Sequence, residues 1–428
     1  YFYFLCTIFA IGKMVHSIKL IIISMVLAGI SSCYREVVIT DTAEEVFELF
    51  VSPEMQDTLY NSRGISYSID DPEIQLFLHD QPLDLVEMKV RGKTSLNFQR
   101  KSYAVKLNEP ILLEDRDQQT MFLLSRFKLI ALATDYTYIE NRLAFGLLEK
   151  TSLMPLFYKF VEFRINGATQ GVYLLVEDPE QFYKENSSEF ILRRGYHHVI
   201  ADADYEPSTH YIPEEDYVAR FQEIYSILTE LEGAELYEAL SQRINLQQYF
   251  RKMGIDYLLM NGDYTDEVFL YSMVQEDTIR YQLIPWDYDD IFTTPPHEVG
   301  RSWGTGKLFG TRYNDTHQDV LDEIGDKLIF SIEDDLDYVI ARDSFMYARY
   351  EEEISNLFAG LEAQIFEDLF SQLKGELTPF YNDKEVVAQS QYDRDPSSRN
   401  LWESNMMEKQ ILLEERFNNM LNQLGISK

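Results

Sequence analysis

Two acidic segments flank a hairpin pattern in the second half of the chain. Residues 261–267 contain Asp263, and residues 285–290 contain Asp287 and Asp289, with two strand-like runs between the segments. Because a two-stranded hairpin returns to the edge from which it starts, we expect both acidic segments at the same end of the hairpin. Carboxylates gathered on adjacent loops are typical ligands of hard divalent cations. The pattern therefore predicts a metal site, and the alternative is a pair of solvated acidic turns.

A short basic stretch lies in the first half of the chain. Five basic residues occur between positions 91 and 106: Arg91, Lys93, Arg100, Lys101 and Lys106. A basic, glycine-containing loop that leads into a strand ending in lysine could hold the phosphates of a nucleotide. A solvated basic hairpin is the alternative interpretation.

The composition limits the classes of protein to which the chain can belong. Lys and Arg number 38 against 72 Asp and Glu, and the formal net charge is −34 over 428 residues, which argues against binding to nucleic acid. A hydrophobic fraction of 45% and an aromatic fraction of 14% indicate a folded chain rather than an acidic disordered one. The two cysteines, Cys6 and Cys33, exclude a disulfide framework and cysteine-ligated zinc from the main body. The sequence meets no phosphate-loop, dinucleotide-binding, nucleophile-elbow or zinc-protease motif.

The first 33 residues have the pattern of a signal peptide that begins at Met14. An apolar run over residues 18–30 would rise only about 20 Å as a helix, which is short for a bilayer span. Small residues follow and end at Cys33, and residues 30–33 resemble a bacterial lipobox. The pattern favours an exported, membrane-anchored lipoprotein at the periplasm or cell surface, attached through Cys33 only. A plain signal peptide and an N-terminal membrane helix are the alternatives.

The rest of the chain divides by hydrophobic periodicity. Residues 34–64 read as a leader, in which apolar residues at 46–50 have helical spacing. Residues 65–180 alternate as strands, with one helix at 139–150 and a hairpin turn at Asn166-Gly167. Residues 181–428 carry mostly helical periodicity.

The ordered set of segments resembles the CotH kinase family, a group of atypical protein kinases named for a spore-coat protein. The resemblance covers about residues 65–425, and its set of motifs is more specific than any single one. The matching segments are residues 91–106, 166–177, 261–263, 285–289 and the last helix around Arg416.

The resemblance implies a fold and an activity. The fold would be α+β, a reduced protein-kinase-like structure of two lobes, with a β-rich N-terminal lobe at 65–180 and a mostly helical C-terminal lobe at 181–428. ATP would be the phosphoryl donor, Mg²⁺ or Mn²⁺ the cofactor, and Ser or Thr of a surface or coat protein the acceptor.

The resemblance also implies roles for individual residues. Lys106 would pair with the nucleotide phosphates, with Lys101 as the alternative, and Arg91 and Glu177 would also belong to the nucleotide site. Glu140 would compete with Glu177 as the partner of the lysine.

The acidic segments would carry the chemistry. Asp263 would orient the attacking hydroxyl and accept its proton. Asp287 would hold the divalent ion, with Asp289 as a further ligand. Kinase-like loops place a metal-binding Asn shortly after the catalytic Asp, whereas this chain has Asp266 and Glu267 there. The ligand would then be Glu267, with Asp266 as the alternative.

Three functions remain open from the sequence. The first is an exported kinase. The second is a kinase-like surface lipoprotein that has lost catalysis and serves as a binding or assembly module. The third is a metal-dependent hydrolase, which would leave the basic strand at 101–106 without a task.

Overall fold

Apolar residues alternate with polar ones through the first part of the chain, and these stretches form a nine-stranded sheet, called here the large sheet. The computed structural model describes residues 45–115, 120–135, 137–195, 199–207, 212–262, 268–275, 278–293, 325–332, 334–383, 386 and 399–427. The strands are β1 (Val46–Phe50), β2 (Tyr67–Ser68), β3 (Gln75–Leu78), β4 (Gln81–Pro82), β5 (Leu85–Arg91), β6 (Ser102–Asp115), β7 (Thr120–Ile130), β8 (Tyr158–Ile165), β9 (Ala168–Glu177), β10 (Phe190–Arg194), β11 (Ile200–Tyr205), β12 (Val268–Gln275) and β13 (Thr278–Pro285).

The large sheet has the order β2-β5-β6-β7-β9-β8-β1-β3-β4. Strand β1 is parallel to β8 and antiparallel to β3, and the other neighbours are antiparallel. The turn between β8 and β9 has positive φ at Asn166 (48°) and Gly167 (81°), as a two-residue hairpin turn requires. The predicted hairpin is therefore confirmed.

The two faces of the large sheet belong to two different cores. In β9, Tyr173 and Leu175 lie in a core, called here the sheet core, that also contains Phe47 and Phe127. The intervening residues of β9, such as Leu174, lie in a second core that includes the helices, called here the helical core. Because successive side chains of a strand point to opposite faces, the buried part of β9 is a nearly continuous apolar run.

The helices pack mainly in the second half of the chain. They are α1 (Pro53–Asn61), α2 (Glu140–Lys150), α3 (Pro179–Glu185), α4 (Glu214–Ser226), α5 (Gly233–Ser241), α6 (Leu246–Leu259), α7 (Asp335–Arg342), α8 (Ser344–Gly360), α9 (Gln364–Asn382) and α10 (Arg399–Gln423). Helix α2 confirms the helix expected in the β-rich half. Helix α6 packs so closely against α8 that a Cβ added at Gly254 would lie 2.7 Å from Ile354 Cγ2.

A second, four-stranded sheet, called here the small sheet, has the order β11-β10-β12-β13. Strands β12 and β13 pair antiparallel from Val268↔Pro285 to Gln275↔Thr278. This pairing confirms the hairpin predicted between the acidic segments. The sequence did not predict β10 and β11, because both are short and lie within the half that otherwise has helical periodicity.

One predicted element is of the wrong type. Apolar residues at 46–50 suggested a helix, but the segment forms β1, which is hydrogen-bonded between β8 and β3. A five-residue apolar run has no periodicity of its own that separates helix from strand, so the partners decided the outcome. The helix that follows, α1, begins only at Pro53, where the Ser52 side chain accepts a hydrogen bond from Met55 N.

The described residues form a mixed α+β fold that is consistent with a two-lobed arrangement. The likeness of this arrangement to a protein kinase stays a prediction, as do the expected domain boundaries. A search of the helices in the described ranges found none with the length and apolar content needed to span a membrane.

The packing of α6 against α8 gives a stability prediction with an internal control. We expect Gly254→Ala to lower the free energy of unfolding by about 1–3 kcal/mol, because the close contact with Ile354 outweighs the better helix propensity of alanine. Gly375 in α9 has no atom within 4 Å of an added Cβ, so Gly375→Ala should raise stability by up to about 1 kcal/mol. Denaturant unfolding of both variants tests the pair, and equal effects would contradict the packing explanation.

Candidate functional site

The loop that follows β13 carries three carboxylates. Residues 286–293, called here the carboxylate loop, begin with Trp286, which is fully buried (0% exposed). Asp287 follows with a left-handed backbone (φ 47°). This conformation costs a residue other than glycine about 1–2 kcal/mol. Its surroundings must therefore impose the shape of the loop.

The end of α6 supplies part of that constraint through the main chain. Three backbone hydrogen bonds join the two segments: Gly262 N to Asp290 O (2.9 Å), Phe292 N to Leu259 O (2.8 Å) and Thr293 N to Met260 O (3.2 Å). Helix α6 ends at Met260, which has a left-handed backbone (φ 52°). The start of the first acidic segment and the carboxylate loop therefore lie side by side, as the hairpin pattern predicted.

Asp263 and Glu267 lie outside the described residues. The residues that bracket their segment are described: Gly262 is bonded to Asp290 O, and Val268 pairs with Pro285. The residue before this segment thus contacts the carboxylate loop, and the residue after it pairs with the end of β13. The roles of Asp263 and Glu267 stay predictions.

Asp289 lies in a negatively charged environment and is partly buried. Burial is the largest cause that raises the pKa of Asp289 to about 7, and the charges of Asp287, Asp290 and Asp135 add to it. A hydrogen bond from Thr134 Oγ1 to Asp289 Oδ2 (2.8 Å) opposes this shift of the pKa. Asp287 and Asp289 are thus close enough to repel each other, which a bound cation would relieve. Within the described ranges, no group of three or more His, Cys, Asp or Glu side chains forms a metal site.

The N-terminus of α2 supports the carboxylate loop. Asn141 Oδ1 accepts a hydrogen bond from Tyr288 N (2.7 Å), and Asp135 Oδ2 accepts one from Glu140 N (2.6 Å). Burial, with the charges of Asp135 and Asp289, raises the pKa of Glu140 to about 8, although Lys409 Nζ lies 2.5 Å from its Oε1 and opposes the shift. Glu140 is therefore paired with a lysine of α10, and not with one of the basic stretch.

Helix α10 contacts both sides of the site. Arg416 donates to the carbonyls of Tyr257 and Leu258 in the last turn of α6, with 2.8 Å between Arg416 Nε and Leu258 O. Asn405 donates to Thr137 Oγ1 (2.9 Å) at the start of α2. Donors at the end of a helix satisfy carbonyls that the helix itself leaves unpaired. The predicted closing helix thus holds the elements that carry the acidic segments.

Several buried polar atoms around the carboxylate loop have no hydrogen-bond partner in the described part of the chain. They are Asn141 Nδ2, Asn261 Oδ1 and Trp286 Nε1. Buried polar groups are usually paired, and each unpaired one costs about 1–3 kcal/mol. They are two donors and one acceptor that a bound group could pair with.

The large sheet presents a basic face toward this region. Arg91, Lys106, Arg126 and Lys128 each neighbour a residue of the sheet core in their strand, so they occupy the opposite face of the sheet. Lys106 pairs in register with Arg126, and Lys128 pairs with the small residue Ala104. These four residues, called here the basic face, concentrate positive charge in a chain of net charge −34.

The basic face meets the carboxylate loop at Trp286. The guanidinium of Arg91 lies 5.9 Å from the centroid of the Trp286 ring, and Lys128 Nζ lies 4.8 Å from it. Asp287 is the next residue in the chain. The fold thus brings two basic side chains of the large sheet to the buried indole that directly precedes the three carboxylates of the loop.

The ammonium of Lys101 is bound to the main chain of nearby segments and serves the fold. Its Nζ donates to three main-chain carbonyls: Ser62 O (2.6 Å), Leu96 O (2.8 Å) and Phe98 O (2.7 Å). An ammonium has three donors, so these bonds use all of them. Burial lowers the pKa of Lys101 to about 8. The geometry therefore favours Lys106 over Lys101 as the lysine available to a nucleotide.

Glu177 lies away from the basic face. It pairs in register with Phe127 of the sheet core, and its Oε2 accepts a hydrogen bond from Phe157 N (3.0 Å). Burial raises the pKa of Glu177 to about 7. The structure therefore brings Arg91 to Trp286, beside Asp287 and Asp289, and places Lys106 on the same face of the large sheet. It does not place Lys101 or Glu177 on that face.

Three residues of the site were missed by the sequence analysis. Lys128 lies between Phe127 and Leu129, and this period-two pattern could have revealed it as a lysine on the face opposite the sheet core. Asp135 and Asn141 flank the start of α2, where the sequence offers no signal beyond helix capping.

The burial of Glu177 predicts a pH-dependent stability. The pKa of Glu177 is about 7 in the folded protein and 4.5 in the unfolded chain. The contribution of Glu177 to the free energy of unfolding of the wild type therefore falls as the pH rises from about 4.5 through 7. Glu177→Gln keeps an acceptor for Phe157 N and removes the charge. We expect the variant to gain roughly 2 kcal/mol more stability at pH 8.5 than at pH 5.5. Urea unfolding at both pH values measures this, with Glu230→Gln on the surface as the control; a gain independent of pH would contradict it.

Comparison with known proteins identifies the family of this chain. The model of the family described as CotH kinase protein matches residues 88–423, which include the basic stretch, the carboxylate loop and helix α10. The chain is also 21% identical to the inner spore coat protein H of Bacillus subtilis (strain 168), over 57% of this chain and 68% of that protein. Since the match to the family model extends over most of the chain, this protein belongs to the CotH kinase family.

Proposed function

We propose that this protein is an ATP-dependent protein kinase that transfers the γ-phosphoryl group to Ser or Thr residues of a coat or surface protein. The observation that carries the proposal is the meeting of the basic face with the carboxylate loop at Trp286. Phosphoryl transfer needs cations to hold the phosphates and carboxylates to hold a divalent ion beside them. Membership of the CotH kinase family supports the same assignment.

Lys106 and Arg91 would hold the phosphates of ATP. Both lie on the face of the large sheet opposite the sheet core, and both are partly exposed. The neighbouring Ala104 leaves space between the longer basic side chains of adjacent strands. Charged donors of this kind form the stronger class of hydrogen bonds to phosphate oxygens.

Asp287 and Asp289 would hold Mg²⁺ or Mn²⁺, with Glu267 as a third ligand. These residues fit a hard cation, because carboxylate oxygens are its usual ligands, and because burial, together with the charge of Asp287, raises the pKa of Asp289. When bound, the ion would neutralise the charge of the phosphate oxygens. Thr134 would orient Asp289 through the hydrogen bond that it donates.

Asp263 would orient the acceptor hydroxyl and take its proton. The main-chain bond from Gly262 to Asp290 O ties the residue before Asp263 to the carboxylate loop. The acceptor is proposed to be a coat protein because the relative in B. subtilis carries the name of a spore coat protein. Export and attachment through a lipid on Cys33 are part of the proposal and rest on the pattern of residues 14–33.

A second candidate function is a kinase-like binding or assembly module without catalysis. The observation that favours it is Glu267, where kinase-like loops have a metal-binding Asn. An additional negative charge there would repel the phosphates of ATP. Such a module would serve a coat or surface assembly by contact alone.

Transfer of labelled phosphate tests the proposed function. Purified protein is incubated with γ-labelled ATP, Mn²⁺ or Mg²⁺ and a library of Ser- and Thr-containing peptides. We expect Asp287→Asn to reduce transfer by at least about 100-fold, because loss of a metal ligand removes several kcal/mol of charge stabilisation. Asp263→Asn should abolish transfer while ATP binding persists.

Asp202→Asn is the matched control, because Asp202 is an exposed carboxylate on β11 whose local bond to Ala203 N an asparagine can also make. Titration calorimetry with ATP and Mn²⁺ separates the two candidate functions. Wild-type protein that binds no ATP and transfers no phosphate would support the binding module. Transfer that persists in Asp287→Asn would refute the assigned metal role.

A further inference from the structure

Lys128 lies at the contact between the large sheet and the carboxylate loop. It belongs to β7, between Phe127 and Leu129 of the sheet core, and so occupies the opposite face. Its side chain is 14% exposed. The phosphate contacts of the proposed reaction fall to Lys106 and Arg91, and not to Lys128.

The ammonium of Lys128 has two aromatic neighbours from the second half of the chain and an acidic neighbour, Asp178, from the first. Its Nζ lies 4.8 Å from the ring centroid of Trp286 and 5.5 Å from that of Phe269. Asp178 Oδ1, at the start of α3, lies 3.5 Å away. Phe269 and Trp286 themselves contact edge to face, with centroids 5.6 Å apart. Lys128 thus connects the large sheet to β12, through Phe269, and to the start of the carboxylate loop, through Trp286.

A buried lysine at this position costs more desolvation free energy than an apolar residue would. Burial lowers the pKa of Lys128, while the charge of Asp178 opposes that shift. A buried charge is tolerated only when partners compensate it, and removing one partner of such a pair is strongly destabilising locally. Contact of a cation with a tryptophan face contributes about 0.5–2 kcal/mol. Of the two rings near the ammonium of Lys128, that of Trp286 is the nearer, so Lys128 makes its stronger cation–π contact with Trp286.

Trp286 directly precedes Asp287, and Asn141 holds Tyr288 N on the other side of it. Asp287 has a left-handed backbone, which the chain adopts only where its neighbours enforce it. The main-chain bonds to α6 hold the loop from Asp290 onward, whereas Trp286 holds its start. A tryptophan anchored on the large sheet would fix the conformation of Asp287.

We propose that Lys128 is a positioning residue that, together with Asp178, anchors Trp286 on the large sheet and thereby fixes Asp287 for metal binding. The role in metal binding rests on the proposed function, whereas the anchoring of Trp286 does not. Lys128 acts through Trp286 and does not itself contact a reacting atom.

Hydrogen exchange of the full chain tests the anchoring without any ligand. Lys128→Met keeps the length of the side chain and removes its charge, so peptides that cover residues 286–293 should exchange at least about tenfold faster. Asp178→Asn should also speed the exchange of these peptides, because it removes the charge that pairs with Lys128. Asparagine is chosen because it can still accept the bond from Glu180 N at the start of α3. Lys128→Arg should restore slow exchange, because arginine also stacks on tryptophan.

Lys89→Met is the matched control. Lys89 of β5 and Lys128 of β7 both pair in register with Ala104 of β6, one from each side. The side chain of Lys89 is 50% exposed and forms an ion pair with Glu87. We expect no change in the exchange of residues 286–293 in this variant. Unchanged exchange in both Lys128→Met and Asp178→Asn, or equal acceleration in Lys89→Met, would overturn the proposal.

Titration with Mn²⁺ tests the consequence for the metal site. We expect the dissociation constant for Mn²⁺ to rise about tenfold or more in Lys128→Met and to return toward the wild-type value in Lys128→Arg, as for other residues that orient metal ligands. An unchanged constant in Lys128→Met would overturn this role. A wild-type protein that binds no Mn²⁺ would instead refute the proposed function, and the exchange experiment would still decide the anchoring of Trp286.

Discussion

The main-chain hydrogen bonds between the end of α6 and the carboxylate loop are the constraint on which the site depends. Buried peptide groups must find partners, and here the partners of Gly262 and Phe292 belong to the facing segment. The β12–β13 hairpin sets the register of these segments through eight residue pairs. A shift of one residue would turn Trp286 from the core toward the opposite face and would separate the two acidic segments.

Charge is distributed around this constraint in a way that the net charge of −34 conceals. Arg91 and Lys128 of the basic face contact Trp286, and the carboxylates of residues 287–290 follow it directly in the chain. Partial burial reduces the screening by water, so charges at this place interact more strongly than charges on the surface. The raised pKa of Asp289 is one consequence of the negative half of this arrangement.

The same basic stretch also serves the fold. Arg100 donates to Val172 O and lies over Tyr138 and Tyr173. Lys101 joins the loop at residues 96–98 to Ser62 through three carbonyls. Arg91 and Lys106 lie on the face that the carboxylate loop approaches. A cluster of positive charge in the sequence therefore separates into structural and accessible residues, and strand pairing decides which residue has which role.

Local pattern and motif order determined several features of this protein from the sequence alone. The turn at Asn166-Gly167, helix α2, the β12–β13 hairpin and membership of the CotH kinase family were all predictable, because each depends on nearby residues or on motifs in a fixed order. The tertiary structure decided that residues 46–50 form a strand, since the partner β8 lies more than a hundred residues away. It also placed Lys128 beside Trp286, because the neighbours of a strand residue on a given face depend on pairing and β-bulges that distant segments impose.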